Sequence, residues 1–159
     1  MRLGGRAAAL SAALLQACGD NTCGPADAVV ARVIDGDTIE LAGGERVRYL
    51  LIDAPETSAA RKPECYGAEA RAFNRTLVEN RSVQLRYDEP CSDHFGRLLA
   101  FVFVDGQSVS ELLVQRGYAC VLHIPPSGDA QVSKLTSLET QAAAGRRGLW
   151  GYCNANPCR

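Results

Sequence analysis

The sequence predicts an α+β domain built around a small barrel. Three observations carry this expectation. About five stretches are rich in β-branched and apolar residues, the first strands are separated by short turns containing glycine, and three stretches with helical periodicity are interspersed among the strands.

The elements follow in chain order. "AVVARVI" is a strand, and Asp35-Gly36-Asp37 interrupts it before "TIEL". Asp-Gly between apolar runs is a hairpin signal, because glycine tolerates positive φ and Asp bonds its own backbone. "AGGE" makes a second turn. "RVRYLLI" reads as a third strand, apolar on both sides near its end and therefore buried. A loop carrying two prolines follows, then a helix over about 68–80 with Ala70, Phe73 and Leu77 on one face. "SVQLRYD" alternates Val83, Leu85 and Tyr87 as a half-buried strand, "EPCSDHFG" is a loop, and "RLLAFVFV" is another strand turned by Asp105-Gly106. Ser108 and Glu111 form a capping box for "VSELLVQR", which Gly117 ends. "YACVL" is a further short strand segment. The last helix runs over about 129–144 with Val132, Leu135 and Leu138 inward and Gly145 as its stop, and Trp150 is expected to close the core. There is no internal repeat and no low-complexity tract.

A chain of 159 residues with 47% apolar and 22% charged residues has room for one globular domain with a real core. Seven cysteines point to an oxidising compartment. Arg2 and Arg6 precede an uncharged run from Ala7 to Ala17, the pattern of an export signal too short to span a bilayer. The signal ends in Leu15-Gln16-Ala17-Cys18, similar to a bacterial lipobox, which makes Cys18 the lipidation candidate and a lipid anchor the route to a membrane. Ordinary cleavage near Ala17 or Ala28, with Cys18 lost or free, is the other reading. The expected organisation is a signal over 1–17, a tether over 18–27, a domain over 28–150 and a cysteine-bearing tail over 151–159. The expected location is the bacterial periplasm, the outer cell surface or the extracellular space. Removing two of the 17 basic residues with the signal leaves 15 against 18 acidic residues, a net charge of −3, so total charge points to no nucleic acid, and such binding needs locally clustered arginines. Six cysteines remain beyond Cys18, which suits three disulfides with 15 conceivable pairings. A zinc site is disfavoured, since no C-x2-C pair exists and only two histidines are present.

The chemistry gathers at two acidic clusters. Asp35 and Asp37 flank Gly36, and "LLIDAPET" places Asp53 where a buried strand gives way to a loop stiffened by Pro55, with Glu56 three residues on. Taken singly, the first cluster is a turn and the second a pair of solvated acids. Arg48 lies five residues before Asp53, an odd offset that puts the two on opposite faces of a strand unless the chain turns between them. Arg97 follows a glycine at a strand start. Singly, each arginine is a surface ion pair. Together, Asp37, Arg48, Asp53, Glu56 and Arg97 are the parts of phosphodiester hydrolysis: carboxylates for a hard cation, a glutamate for base work and two planar donor forks for phosphate.

The order "IDGDT … R-x4-DAPE … FGR-x-LA … GLW" resembles the thermonuclease (staphylococcal nuclease-like) family from about Ala28 to Trp150. The resemblance implies a five-stranded OB-fold β-barrel with three α-helices, and calcium-dependent hydrolysis of DNA and RNA leaving 3′-phosphates. It implies Asp37 and Asp53 as calcium ligands, joined by the backbone carbonyl of Ala54, with Asp35 in support. It makes Glu56 the general base, and Arg48 and Arg97 the groups that stabilise charge on the phosphate. The chain departs from the family pattern where a lysine and a tyrosine often precede the Gly-Arg pair; here His94 and Phe95 stand as substrate-binding candidates, Phe95 by stacking on a base. Family tyrosines after the fifth strand are replaced around His123 and Pro125. Cys65 and Cys91 fall in the two loops that would flank the active site and are expected to pair, as are Cys153 and Cys158, which leaves Cys23 with Cys120. No protein partner is implied, and a monomer is the default. The competing reading is a non-catalytic OB-fold module that binds nucleic acid; a disulfide-stapled extracellular interaction protein leaves the five polar residues unexplained.

Overall fold

The computed structural model describes residues 23–57, 63–154 and residue 158. Five strands close into a barrel: β1 (Asp27–Asp35), β2 (Thr38–Leu41), β3 (Arg46–Tyr49), β5 (Ser82–Ser92) and β6 (Leu98–Val104). The short strands β4 (Ile52–Asp53), β7 (Gln107–Ser108) and β8 (Cys120–Val121) sit at its margins. Around the ring the order is β3-β2-β1-β5-β6, and β6 returns to β3 in a parallel pairing with Val47 opposite Leu98. β1 serves two partners, pairing β5 through Asp27–Val29 and β2 from Val30 onward. Its register shifts at Val30/Arg32 and Val33/Asp35 are the bends that let one strand turn a barrel corner. Inside lie Val30, Val33, Ile39, Val47, Tyr49 and Val102, each at most 2% exposed. This is the α+β barrel with three principal helices that the sequence predicts.

The helices are α1 (Gly67–Val78), α2 (Val109–Arg116) and α3 (Val132–Ala144), with a single turn α4 (Leu149–Tyr152) after them. The serine half of the expected capping box at α2 is present, since Ser108 Oγ accepts from the Glu111 amide, while the Glu111 carboxylate pairs with Lys134; Gly117 ends the helix at φ 74°. α3 begins three residues later than the periodicity predicts, because Gly128 at φ 78° keeps the preceding segment in turns. Leu149, not Trp150, fills the core. Its amide donates to the Gly117 carbonyl at 2.9 Å and its side chain is fully buried, whereas Trp150 is half-buried. Residues 23–26 lie against β5, with the Tyr87 hydroxyl donating to the Pro25 carbonyl at 2.8 Å.

Two further expectations are corrected. "RVRYLLI" is not one strand: it stops at Tyr49, and Leu51 takes φ 66° before β4 begins. Tertiary contacts hold this turn. The Leu50 amide donates to Ala100, the Leu51 carbonyl accepts from Leu122, and a Cβ at Gly128 would fall 2.5 Å from the Leu51 side chain. The disulfides pair as Cys23–Cys91, Cys65–Cys153 and Cys120–Cys158, so none of the three expected pairings occurs. The barrel carries Cys91 on the long β5, next to the segment before β1, while Cys65 faces the helical tail.

Candidate active site

The loop between β1 and β2 has two residues, Gly36 and Asp37, because Asp35 pairs with Thr38. Gly36 does not use positive φ here. Close approach is what requires glycine: a Cβ would lie 2.6 Å from the Ala54 Cβ and 3.0 Å from the Ala70 Cβ. The loop is thereby pressed between the residue after β4 and the inner face of α1.

That pressure buries Asp37, which is 5% exposed. Its Oδ2 accepts from the Ala54 amide at 2.7 Å, and its Oδ1 accepts from the Thr38 hydroxyl at 2.9 Å. Arg48 Nη1 stands 2.9 Å from Asp37 Oδ2, and Nη2 donates to Asp53 Oδ1 at 2.7 Å. One guanidinium therefore holds two carboxylates, one buried and one open to solvent. The same Nη1 donates to the Ile52 carbonyl at 2.8 Å and so braces the turn that brings Asp53 back. Burial pushes the Asp37 carboxyl above the ordinary carboxylate range, Asp53 adds to the push, and the opposing pull of Arg48, the Ala54 amide and the Thr38 hydroxyl does not cancel it.

The residues behind the loop are polar. Asn74 of α1 is fully buried; its Nδ2 donates to the Asp35 carbonyl at 3.2 Å and its Oδ1 accepts from the Tyr49 hydroxyl at 3.0 Å. The Thr57 hydroxyl donates to the Asp35 carboxylate. Asp35 thus supports the loop. Asn74 carries a signal the periodicity analysis passed over: it is a polar residue four after Ala70 on the inward face of α1.

Glu56 follows Pro55, two residues after Ala54. Its carbonyl accepts from the Glu64 amide at 3.0 Å, and a Cβ at Gly67 would fall 2.6 Å from that carbonyl oxygen. The start of α1 therefore fixes the Glu56 backbone.

Arg97 enters from the other side. Asp93 Oδ2 accepts from Arg97 Nε at 2.7 Å, while Asp93 Oδ1 accepts from the Phe95 and Arg97 amides at 2.9 and 3.0 Å. Burial pushes Asp93 up, but the Arg97 amide and guanidinium outweigh it and hold its carboxyl below the usual range. Asp93 is the organiser of this turn, and nothing in the sequence pattern singled it out. Arg48, Arg97 and His94 line one cavity of about 430 Å³ whose apolar wall includes Leu50, Ile124 and Pro125. Phe95 lies outside that cavity, 72% exposed, with its ring centroid 3.8 Å from that of His94. His123 pairs with Asp129 at 2.6 Å.

The donor set suits a hard cation. Asp37, Asp53 and the Ala54 backbone offer oxygen alone, and two carboxylates share one guanidinium, which leaves negative charge uncompensated beside a buried acid. Cys120, Glu139 and Cys158 also cluster, but the two sulfurs are bonded to each other and cannot act as thiolates.

Residues 46–152 match the family of staphylococcal nuclease homologues. The chain is 36% identical over 132 residues to the SPbeta prophage-derived endonuclease YokF of Bacillus subtilis (strain 168), covering 78% of this chain and 44% of that protein. It is 38% identical over 127 residues to endonuclease YncB of the same organism, covering 75% and 59%. It is 32% identical over 125 residues to the thermonuclease of Staphylococcus hyicus, covering 76% and 73%. The chain thus spans about half the length of the two Bacillus relatives. With this match and the closed barrel beneath the Asp37–Arg48–Asp53 network, the chain belongs to the staphylococcal nuclease homologue family.

Proposed function

We propose that this chain is an exported, calcium-dependent nuclease that hydrolyses phosphodiester bonds of DNA and RNA. The observation that carries the reading is the Arg48 guanidinium set between Asp37 and Asp53, at the edge of a cavity that Arg97 also lines. Family membership supports it.

Asp37, Asp53 and the Ala54 carbonyl would hold the calcium. When bound, the ion supplies charge neutralisation at the phosphate and orientation of water. Glu56, three residues after Asp53 and with its backbone carbonyl bonded to the Glu64 amide, takes a proton from the attacking water. Arg48 and Arg97, which line one cavity, meet the negative charge that grows on the phosphate oxygens, and Arg97 also assists the leaving oxygen. The apolar wall excludes water from that side and offers a surface to a base or sugar.

Three disulfides support an oxidising location outside the cytoplasm. The signal and Cys18 lie outside the described residues, and lipidation at Cys18 remains part of this proposal. Among the described residues no helix is long and apolar enough to cross a membrane.

The test is cleavage of heat-denatured DNA by the oxidised protein in calcium, in excess EGTA, and with Glu56→Gln. Cleavage in calcium alone, lost in Glu56→Gln, is the expected result. A folded protein that binds DNA and cuts nothing would replace the enzyme with a nucleic-acid-binding module.

A further inference from the structure

Arg46 and Arg97 stand next to one another at the closing seam of the barrel. β3 and β6 run parallel with Val47 opposite Leu98, so an arginine immediately precedes the paired residue on each strand. Both line an open cavity of about 620 Å³ together with Glu45, Phe95 and the turn glycines Gly44 and Gly96. A Cβ at either glycine would meet nothing within 4 Å, so both glycines border open space.

Three features point to a ligand. Phe95 is 72% exposed, with the Arg97 guanidinium carbon 5.5 Å from its ring centroid, an arrangement that leaves apolar ring surface in water beside a cation. Arg46 is loosely held: the Glu40 carboxylate stands 3.7 Å from it and is already taken by Arg32 through bonds of 2.9 and 2.7 Å. Arg97 also lines the cavity that contains Arg48, so the two cavities share a wall. A planar apolar ring and a lightly paired cation, next to a phosphate-binding arginine, match a nucleotide.

We propose that this groove is a subsite for the nucleotide flanking the cleaved bond of a single-stranded polynucleotide, with its base on Phe95 and its phosphate on Arg46. The proposal rests on the nuclease reading above and adds Arg46 to it as a residue that selects longer single strands. Stacking on an exposed ring requires an unpaired base, which excludes a closed duplex as the ligand. Glu45 shares the groove and opposes a phosphate, so its neutralisation strengthens binding.

The experiment uses the full oxidised chain and fluorescein-labelled oligothymidylates, a dinucleotide and a hexanucleotide, titrated in EGTA at several salt concentrations. The hexanucleotide is expected to bind more tightly than the dinucleotide. Arg46→Gln should remove most of that gain, leave the dinucleotide unchanged and lower the salt slope by about 0.7, one single-strand phosphate contact. Phe95→Ala should weaken hexanucleotide binding about 5-fold or more, and Glu45→Gln should tighten it. Arg75→Gln, with the same charge change and a side chain 56% exposed against 58% for Arg46, should do nothing. If Arg46→Gln behaves as Arg75→Gln does, or weakens both oligonucleotides alike, the subsite is wrong. The same proteins are then assayed in calcium. Cleavage by the parent protein with Arg46-independent length preference sinks the subsite alone. Arg46-dependent binding without cleavage sinks the nuclease and leaves the groove standing as a single-strand-binding site.

Discussion

Arg48 Nη1 stands 2.9 Å from Asp37 Oδ2, and the two side chains are 13% and 8% exposed. An ion pair this dry does not act like one on a surface. Desolvation makes each partner depend on the other, and loss of one leaves a buried charge unanswered.

Arg48→Ala is therefore expected to cost about 3 kcal/mol of stability as well as activity. Urea unfolding in EGTA measures the first. Calcium should raise the Tm of Arg48→Ala by more than it raises that of the parent protein, because it answers the two freed carboxylates. An equal rise in both would place the ion elsewhere.

Gly36→Ala tests the close approach of the first hairpin. The added methyl collides with Ala54 and Ala70, and a loss of about 1–3 kcal/mol is expected. Ala54→Gly in the same chain should restore part of it, since the nearer clash is with the Ala54 Cβ. No recovery would mean that backbone conformation, not space, fixes glycine there.

Asp93 gives a pH dependence whose sign follows from its depressed pKa. The contribution is fully present above the ordinary aspartate value of about 3.9 and is lost as pH falls through the lower folded value. Asp93→Asn should lose about 1 kcal/mol near neutral pH and converge with the parent protein in acid. Denaturation midpoints of the two proteins across that range check this, and parallel curves would contradict it.

The disulfide pairing is checked by peptide mapping without reduction, which should return Cys23–Cys91, Cys65–Cys153 and Cys120–Cys158. Cys65→Ser with Cys153→Ser is expected to cost about 2–4 kcal/mol.

The barrel, its Gly-Asp hairpin and the capped α2 were legible because each rests on local chemistry: alternation, a two-residue loop, a serine three before a glutamate. The break at Leu51 was not. A leucine at positive φ carries no turn signal, and its conformation is set by Ala100, Leu122 and Gly128, none of them near in sequence. That break answers the odd offset between Arg48 and Asp53, which a continuous strand would separate. Asn74 and Asp93 escaped for a related reason. Each matters through partners that folding brings to it, the Asp35 carbonyl and Tyr49 hydroxyl in one case and the Arg97 guanidinium in the other. Cysteine count foretold three bonds, but pairing depends on where Cys91 and Cys65 face once β5 and α1 are placed.

The three bonds are interlaced along the chain, spanning 23–91, 65–153 and 120–158. Each span overlaps the next, so every peptide bond between Cys23 and Cys158 lies inside at least one closed ring. A protease that nicks this protein once, anywhere in that interval, releases no fragment: the two pieces stay covalently joined. Such a chain takes a first cut as local damage instead of loss of a fragment.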